Sequence, residues 1–166
     1  MALTVEDGSG VTGANSYVTV DEIKAFCEAR GLSLPTPDTA IEVFAVQAFD
    51  YVESYRTRYQ GMKTLPSQRA QFPRSGVVID GYYLPSDEIP AELKDAQCQA
   101  TFEASETDLM PNSSAGIKKE KVDVLEVEYQ DSPGGVAASP SFPKVDVLLA
   151  PLLNVGGGWR PSVVRG

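Results

Sequence analysis

Histidine is absent from the 166 residues, and that one fact removes most of the common catalytic repertoire. Ser-His-Asp and Cys-His systems need an imidazole to move the proton, and the commonest zinc sites need one as a ligand. Cys27 and Cys98 are the two cysteines and lie far apart in sequence. They are too few for a metal cluster, and in helix-like segments they read as buried small hydrophobes rather than as a disulfide. Carboxylates are plentiful, so composition alone leaves a two-carboxylate hydrolase open. Yet the acids occupy scattered helix-start and strand positions, such as Asp21, Glu22, Glu126 and Glu128, which solvated faces explain. Gly8-Ser-Gly-Val-Thr-Gly13 matches G-x-G-x-x-G by letter. The first helix signal comes only at Thr19, with no βαβ pattern around it, so a dinucleotide loop is not expected. The expectation is a protein without enzymatic activity, metal or cofactor.

The chemistry that remains is charge and stacking. From Ser54 to Ile79 there is no acidic residue and there are five cations, Arg56, Arg58, Lys63, Arg69 and Arg74. The chain as a whole has a net charge of −9, so the remainder carries −14. Tyr51, Tyr55, Tyr59, Phe72, Tyr82 and Tyr83 lie in or beside the basic run. Interleaved rings and cations suit single-stranded nucleic acid, with rings stacking bases and cations following phosphates. The competing reading is that Tyr55 and Tyr59 belong to a helix core and the cations meet another protein. The acidic balance argues against a general nucleic-acid binder.

These residues need elements to hold them. Thr19-Val20-Asp21-Glu22 is a capping box, and Ile23, Phe26 and Cys27 follow on one face, predicting a helix over 20–30 stopped by Gly31. The second helix is expected over 37–60, with Thr36 as cap and Pro37 in first position. Its stripe is Ile41, Phe44, Ala45, Ala48, Val52, Tyr55 and Tyr59, with Gly61 as its end. A broken connection follows, in which Val77-Val78-Ile79 forms at most a short strand. A third helix over 90–105 presents Leu93, Ala96, Ala100 and Ala104, small enough for close approach to the second. Residues 117–129 alternate with a slip between Val124 and Leu125, as in a hairpin or a bulge. Residues 131–141 read as a linker, and a last short helix over 143–150 carries Val145, Leu148, Leu149 and Leu152. The fold class is therefore mainly α: a small bundle of about three helices, with a β-hairpin and an extended C-terminal arm bearing a short helix. The helical body spans 1–110 and the interaction arm 111–166. Tyr129, Leu148, Leu149, Leu152, Trp159 and Arg160 are the expected interface anchors of that arm.

No stretch approaches the roughly 20 apolar residues of a membrane span. The opening Met-Ala-Leu-Thr-Val-Glu-Asp has neither a basic n-region nor an apolar h-region, so no signal peptide is expected and synthesis in a cytoplasm is.

Several motifs occur in a telling order: Ala14-Asn-Ser-Tyr-Val18, Phe72-Pro-Arg-Ser-Gly76, Ile89-Pro-Ala-Glu-Leu93, Lys119-Glu-Lys-Val122 with Leu125-Glu-Val-Glu-Tyr129, and Asp146-Val-Leu-Leu-Ala-Pro-Leu-Leu153. This set resembles a family of small tailed-phage and prophage proteins often labelled DnaT-like single-stranded DNA-binding. It is also similar to the wider class of helical head–tail connector proteins. The connector resemblance implies a structural virion protein at the neck between capsid and tail. It would form a ring, usually of twelve copies, bound to the portal protein and a downstream tail or neck protein, with duplex DNA passing without sequence specificity. The DnaT-like label implies single-strand binding as a replication accessory. The charge favours the connector, because an acidic lumen lets duplex slide.

Overall fold

The computed structural model describes residues 2–111 and 142–154. Helix α1 spans Val20–Glu28 and opens on the expected capping box: the Thr19 side chain accepts from the Glu22 N–H, and the Glu22 carboxylate accepts from the Thr19 N–H. Helix α2 spans Asp38–Glu53. It starts one residue later than expected, because Pro37 takes the N-cap with extended backbone and Thr36 makes no cap. It also ends sooner, tightening into a 3₁₀ turn over Ser54–Thr57. The long stripe therefore breaks before Tyr59. That ring turns back, its hydroxyl donating to the Val52 carbonyl at 2.8 Å, and packs edge-on against Phe72 at 5.2 Å.

Four two-residue strands follow: β1 Met62–Lys63, β2 Arg74–Ser75, β3 Val78–Ile79 and β4 Tyr82–Tyr83. They make two separate antiparallel ribbons, β1 with β2 and β3 with β4. Gly61 lets the first ribbon close, since a Cβ there would lie 2.0 Å from the Ser75 carbonyl oxygen. The second ribbon turns at Asp80-Gly81, both with positive φ (50° and 87°), the pair of left-handed residues a tight two-residue hairpin requires.

Helix α3, Ala91–Glu106, is the centre of the body and packs against α1, α2 and the last helix, α4, Pro143–Leu149. Leu93, Ala96, Ala100 and Ala104 are buried in the larger core with Phe49, Val52 and Phe72; the small side chains permit the close α2–α3 approach their spacing predicts. Cys98 turns the other way, into a second cluster with Ile23, Phe26 and Cys27 of α1 and Ile41 and Ala45 of α2. Both cysteines are free and buried, and burial pushes the Cys98 thiol up to about 12, far from the reactive thiolate.

Two departures concern the C-terminal region. The 3₁₀ turn Ala150–Leu152 extends α4, and Phe142, Val145, Leu149, Leu152 and Leu153 are all buried in the main core. Leu149 and Leu152 thus cover the chain's own body instead of anchoring an interface, and Leu148 is half-buried against the same core. Burial of five apolar side chains, each worth about 1.5–3 kcal/mol, holds this segment in place. The expected hairpin at 117–129, with Tyr129, the linker at 131–141, and Trp159 and Arg160 lie outside the described residues.

Candidate nucleic-acid interface

Arginine carries five N–H donors and no acceptor, so a buried guanidinium is explained by the oxygens around it. Arg74 on β2 is 6% exposed. Its Nε donates to the Gln60 carbonyl at 2.6 Å, Nη2 to the Gly61 carbonyl at 2.8 Å, and Nη1 to the Gln71 side-chain oxygen at 3.1 Å. The guanidinium ties the exit of the 3₁₀ turn to the loop before β2, so Arg74 does not face a partner. Lys63 is half-buried, its Nζ donating to the Gln68 and Arg69 carbonyls at 3.1 and 3.2 Å. These two of the five cations serve the loop's own backbone, because a loop without regular structure leaves carbonyls that must be satisfied.

The other three are exposed. Arg58 lies over the Tyr55 ring at 4.9 Å, and Arg69 lies 5.8 Å from the Phe49 centroid. Arg56 makes no hydrogen bond or ion pair among the described residues.

The aromatics divide in the same way. Tyr51 is buried against Phe142, and the Tyr55 hydroxyl donates to the Asp146 carboxylate at 2.6 Å, joining the 3₁₀ turn after α2 to α4. Tyr59 and Phe72 are core residues. Burial and the Asp146 acceptor raise the Tyr55 hydroxyl, and burial raises Tyr59, far above the ordinary tyrosine value. None of these rings is free to stack on a base. Tyr82 and Tyr83 are the exception, 80% and 81% exposed on β4. Successive strand residues point to opposite faces, so the ribbon presents a phenol on each side.

Gln60 joins the two parts of this surface. Its side chain accepts from the Val78 N–H and donates to the Val78 carbonyl, both at 3.2 Å, and also donates to the Pro151 carbonyl at 2.8 Å. Val78 pairs with Tyr83, so the tyrosine ribbon is fastened directly beside the segment that bears Arg56 and Arg58. Sequence reasoning missed this ribbon as a unit, although Asp80-Gly81 between Val78-Ile79 and Tyr82-Tyr83 is a strong hairpin signal.

Two of the ordered motifs prove to be internal fastenings. In Ala14–Val18, the Tyr17 N–H donates to the Gln97 side-chain oxygen at 2.7 Å, and the Gln97 amide donates to Ser16 Oγ and to the Ala45 carbonyl. The Tyr17 hydroxyl donates to the Glu53 carboxylate and accepts from the Phe72 N–H at 3.1 Å. Glu53 also accepts from the Gln71 N–H. Burial raises the Glu53 carboxyl above its ordinary value, opposed by those hydrogen bonds and by the positive charge of Lys63.

No group of three or more carboxylates, cysteines or histidines that could hold a metal ion occurs among the described residues. None of the described helices is long and apolar enough to cross a membrane. Comparison with protein families matches residues 1–166 to the family described as "Putative DnaT-like ssDNA binding protein". Neither the curated proteins nor the solved structures include a match. The chain belongs to this DnaT-like family over its whole length.

Proposed function

From that membership, we propose that the protein is a non-catalytic accessory that contacts single-stranded DNA weakly and without sequence preference. The contact runs through the β3–β4 ribbon and the exposed arginines beside it. The observation that carries this reading is the pair of exposed phenols, Tyr82 and Tyr83, on a ribbon that Gln60 fastens to the segment bearing Arg56 and Arg58. Rings on both faces of a narrow ribbon offer stacking platforms, and guanidinium groups supply the phosphate attraction. With three exposed arginines against a chain of net charge −9, binding is weak and falls steeply with salt.

The test is fluorescence anisotropy with labelled oligo-dT at low salt. Wild type binds, and Tyr82→Ala with Tyr83→Ala costs about 1–3 kcal/mol for each base that loses its stacking partner. Replacing Arg56, Arg58 and Arg69 by alanine flattens the salt dependence. Absence of binding at low salt, or binding indifferent to all five substitutions, overturns the reading.

A second reading is a structural ring subunit at a phage neck, bound to a portal and lining the DNA path. Two observations favour it: the −14 carried outside the basic run, which repels a phosphate backbone, and the inward use of Tyr17 and Arg74, which builds the body rather than a DNA site. Electron micrographs of purified protein, alone and mixed with portal protein, decide it. Rings or portal complexes support the second reading, and monomers that leave the portal bare remove it.

A further inference from the structure

Every polar group of Gln60 is bonded, and the bonds lead to three different parts of the molecule. The backbone N–H donates to the Leu152 carbonyl at 3.0 Å, and the backbone carbonyl accepts from Arg74 Nε at 2.6 Å. The side-chain amide holds Val78 at both its N–H and its carbonyl, and it also donates to the Pro151 carbonyl. Its place on the ribbon follows from strand pairing. Val77 accepts from the Leu84 N–H at 2.9 Å, and in an antiparallel pair bonded and non-bonded positions alternate. The N–H and carbonyl of Val78 therefore turn away from β4, and the Gln60 amide meets them as a neighbouring strand would. A ribbon of two residue pairs is marginal by itself. Val77, Ile79 and Leu84 seat its base on the core, and Gln60 ties its β3 edge.

The C-terminal segment that Gln60 grips also holds Arg58. The Asn154 N–H donates to the Arg58 carbonyl at 2.7 Å, and the Asn154 side-chain amide donates to the Tyr59 carbonyl at 3.0 Å. Tyr59 and Leu153 form an antiparallel bridge between these contacts. The Arg58 guanidinium lies over Tyr55, whose hydroxyl ends on Asp146 of α4. Ribbon and arginine thus hang on one support, residues 146–154, remote from both in sequence.

We propose that Gln60 is a positioning residue through which the docked C-terminal segment sets the single-strand contact. The inference rests on the single-strand reading and adds its regulation. When residues 150–154 leave residues 58–60, ribbon and Arg58 are released together and single-strand affinity falls. The coupling is reciprocal, so a bound strand in turn holds the C-terminal segment in place.

Oligo-dT anisotropy and amide hydrogen exchange on the full chain test this. Gln60→Met keeps the length of the side chain and removes its amide, and it weakens oligo-dT binding about tenfold, since the outward groups of Val78 lose their partner. In a chain that already carries Tyr82→Ala and Tyr83→Ala, the same substitution costs no more than about twofold, because Gln60 acts through the rings. A substitution that merely loosened the body would cost as much in either background. In wild type, oligo-dT slows exchange at the Gln60 and Asn154 amides severalfold; in Gln60→Met the slowing at Asn154 is lost. Should Gln60→Met fail to fold by circular dichroism, Asn154→Ala, which removes the bond to Tyr59 from the C-terminal side, decides: it weakens oligo-dT binding by about threefold or more. Variants that bind as wild type does, a Gln60→Met cost that is the same with and without the rings, or oligo-dT that leaves Asn154 exchange unchanged overturns the proposal and leaves the single-strand reading standing. A wild-type chain that does not bind oligo-dT overturns both.

Discussion

At the scale of single residues, the cations and acids of this chain do more holding than reaching. Arg74 supplies hydrogen bonds to the Gln60 and Gly61 carbonyls and the Gln71 side chain. Arg74→Ala removes all of them and leaves buried acceptors bare, so we expect a loss of about 3 kcal/mol or more in urea unfolding. Arg74→Lys recovers only part, because an ammonium cannot span the same fork. Glu53 makes a prediction about pH. Its carboxyl is raised by burial above the ordinary 4.5, with Tyr17, the Gln71 N–H and Lys63 opposing. A carboxyl that binds its proton more tightly folded than unfolded favours the folded state fully below the unfolded value, and that contribution is lost as pH rises through the folded one. Stability of wild type relative to Glu53→Gln should therefore decline as pH climbs from about 4.5. The decline is about 1.4 kcal/mol for each unit by which the folded value is raised. A difference that stays flat between pH 4 and 7 removes this account.

At the scale of elements, local sequence decides beginnings better than ends. The α1 capping box forms in full, and Thr19→Ala should cost about 1 kcal/mol in thermal or urea unfolding. Glu22→Gln, which keeps a side-chain acceptor for the Thr19 N–H, should cost less. Helix α2 was legible by its apolar spacing but not its stop at Glu53. Tyr59 leaves the stripe because Val52 and Phe72 offer its hydroxyl and ring a better site than another helical turn would. Such a competition is invisible to periodicity. The β3–β4 ribbon is the reverse case: Asp80-Gly81 announces it locally, but its importance comes from Gln60, a residue in another segment.

At the scale of the whole molecule, α4 is the decisive contact. Phe142, Val145, Leu149, Leu152 and Leu153 fill one side of the core, and Tyr55 and Asp146 add a hydrogen bond across it. Leu149→Ala should cost about 2–5 kcal/mol. A chain ending at residue 111 should lose cooperative unfolding and bind a hydrophobic dye, because the α3 face that α4 covers would meet water. A truncated chain that melts as sharply as the full one contradicts this assignment.

What the sequence determined by itself is the helical class, the α1 cap, the small-residue face of α3, and the concentration of positive charge between Ser54 and Ile79. Each rests on interactions between near neighbours or on composition, which one-dimensional spacing records. Only the tertiary structure decided which cations are free, which tyrosines can stack, and where the last helix docks. Arg74 and Arg56 stand alike in a charge run; burial separates them, because one meets the carbonyls of Gln60 and Gly61 and the other meets water. Tyr59 and Tyr83 are separated in the same way. The apolar stripe of α4 calls for a cover without saying whose, and the open side of α3 in the same chain supplies it.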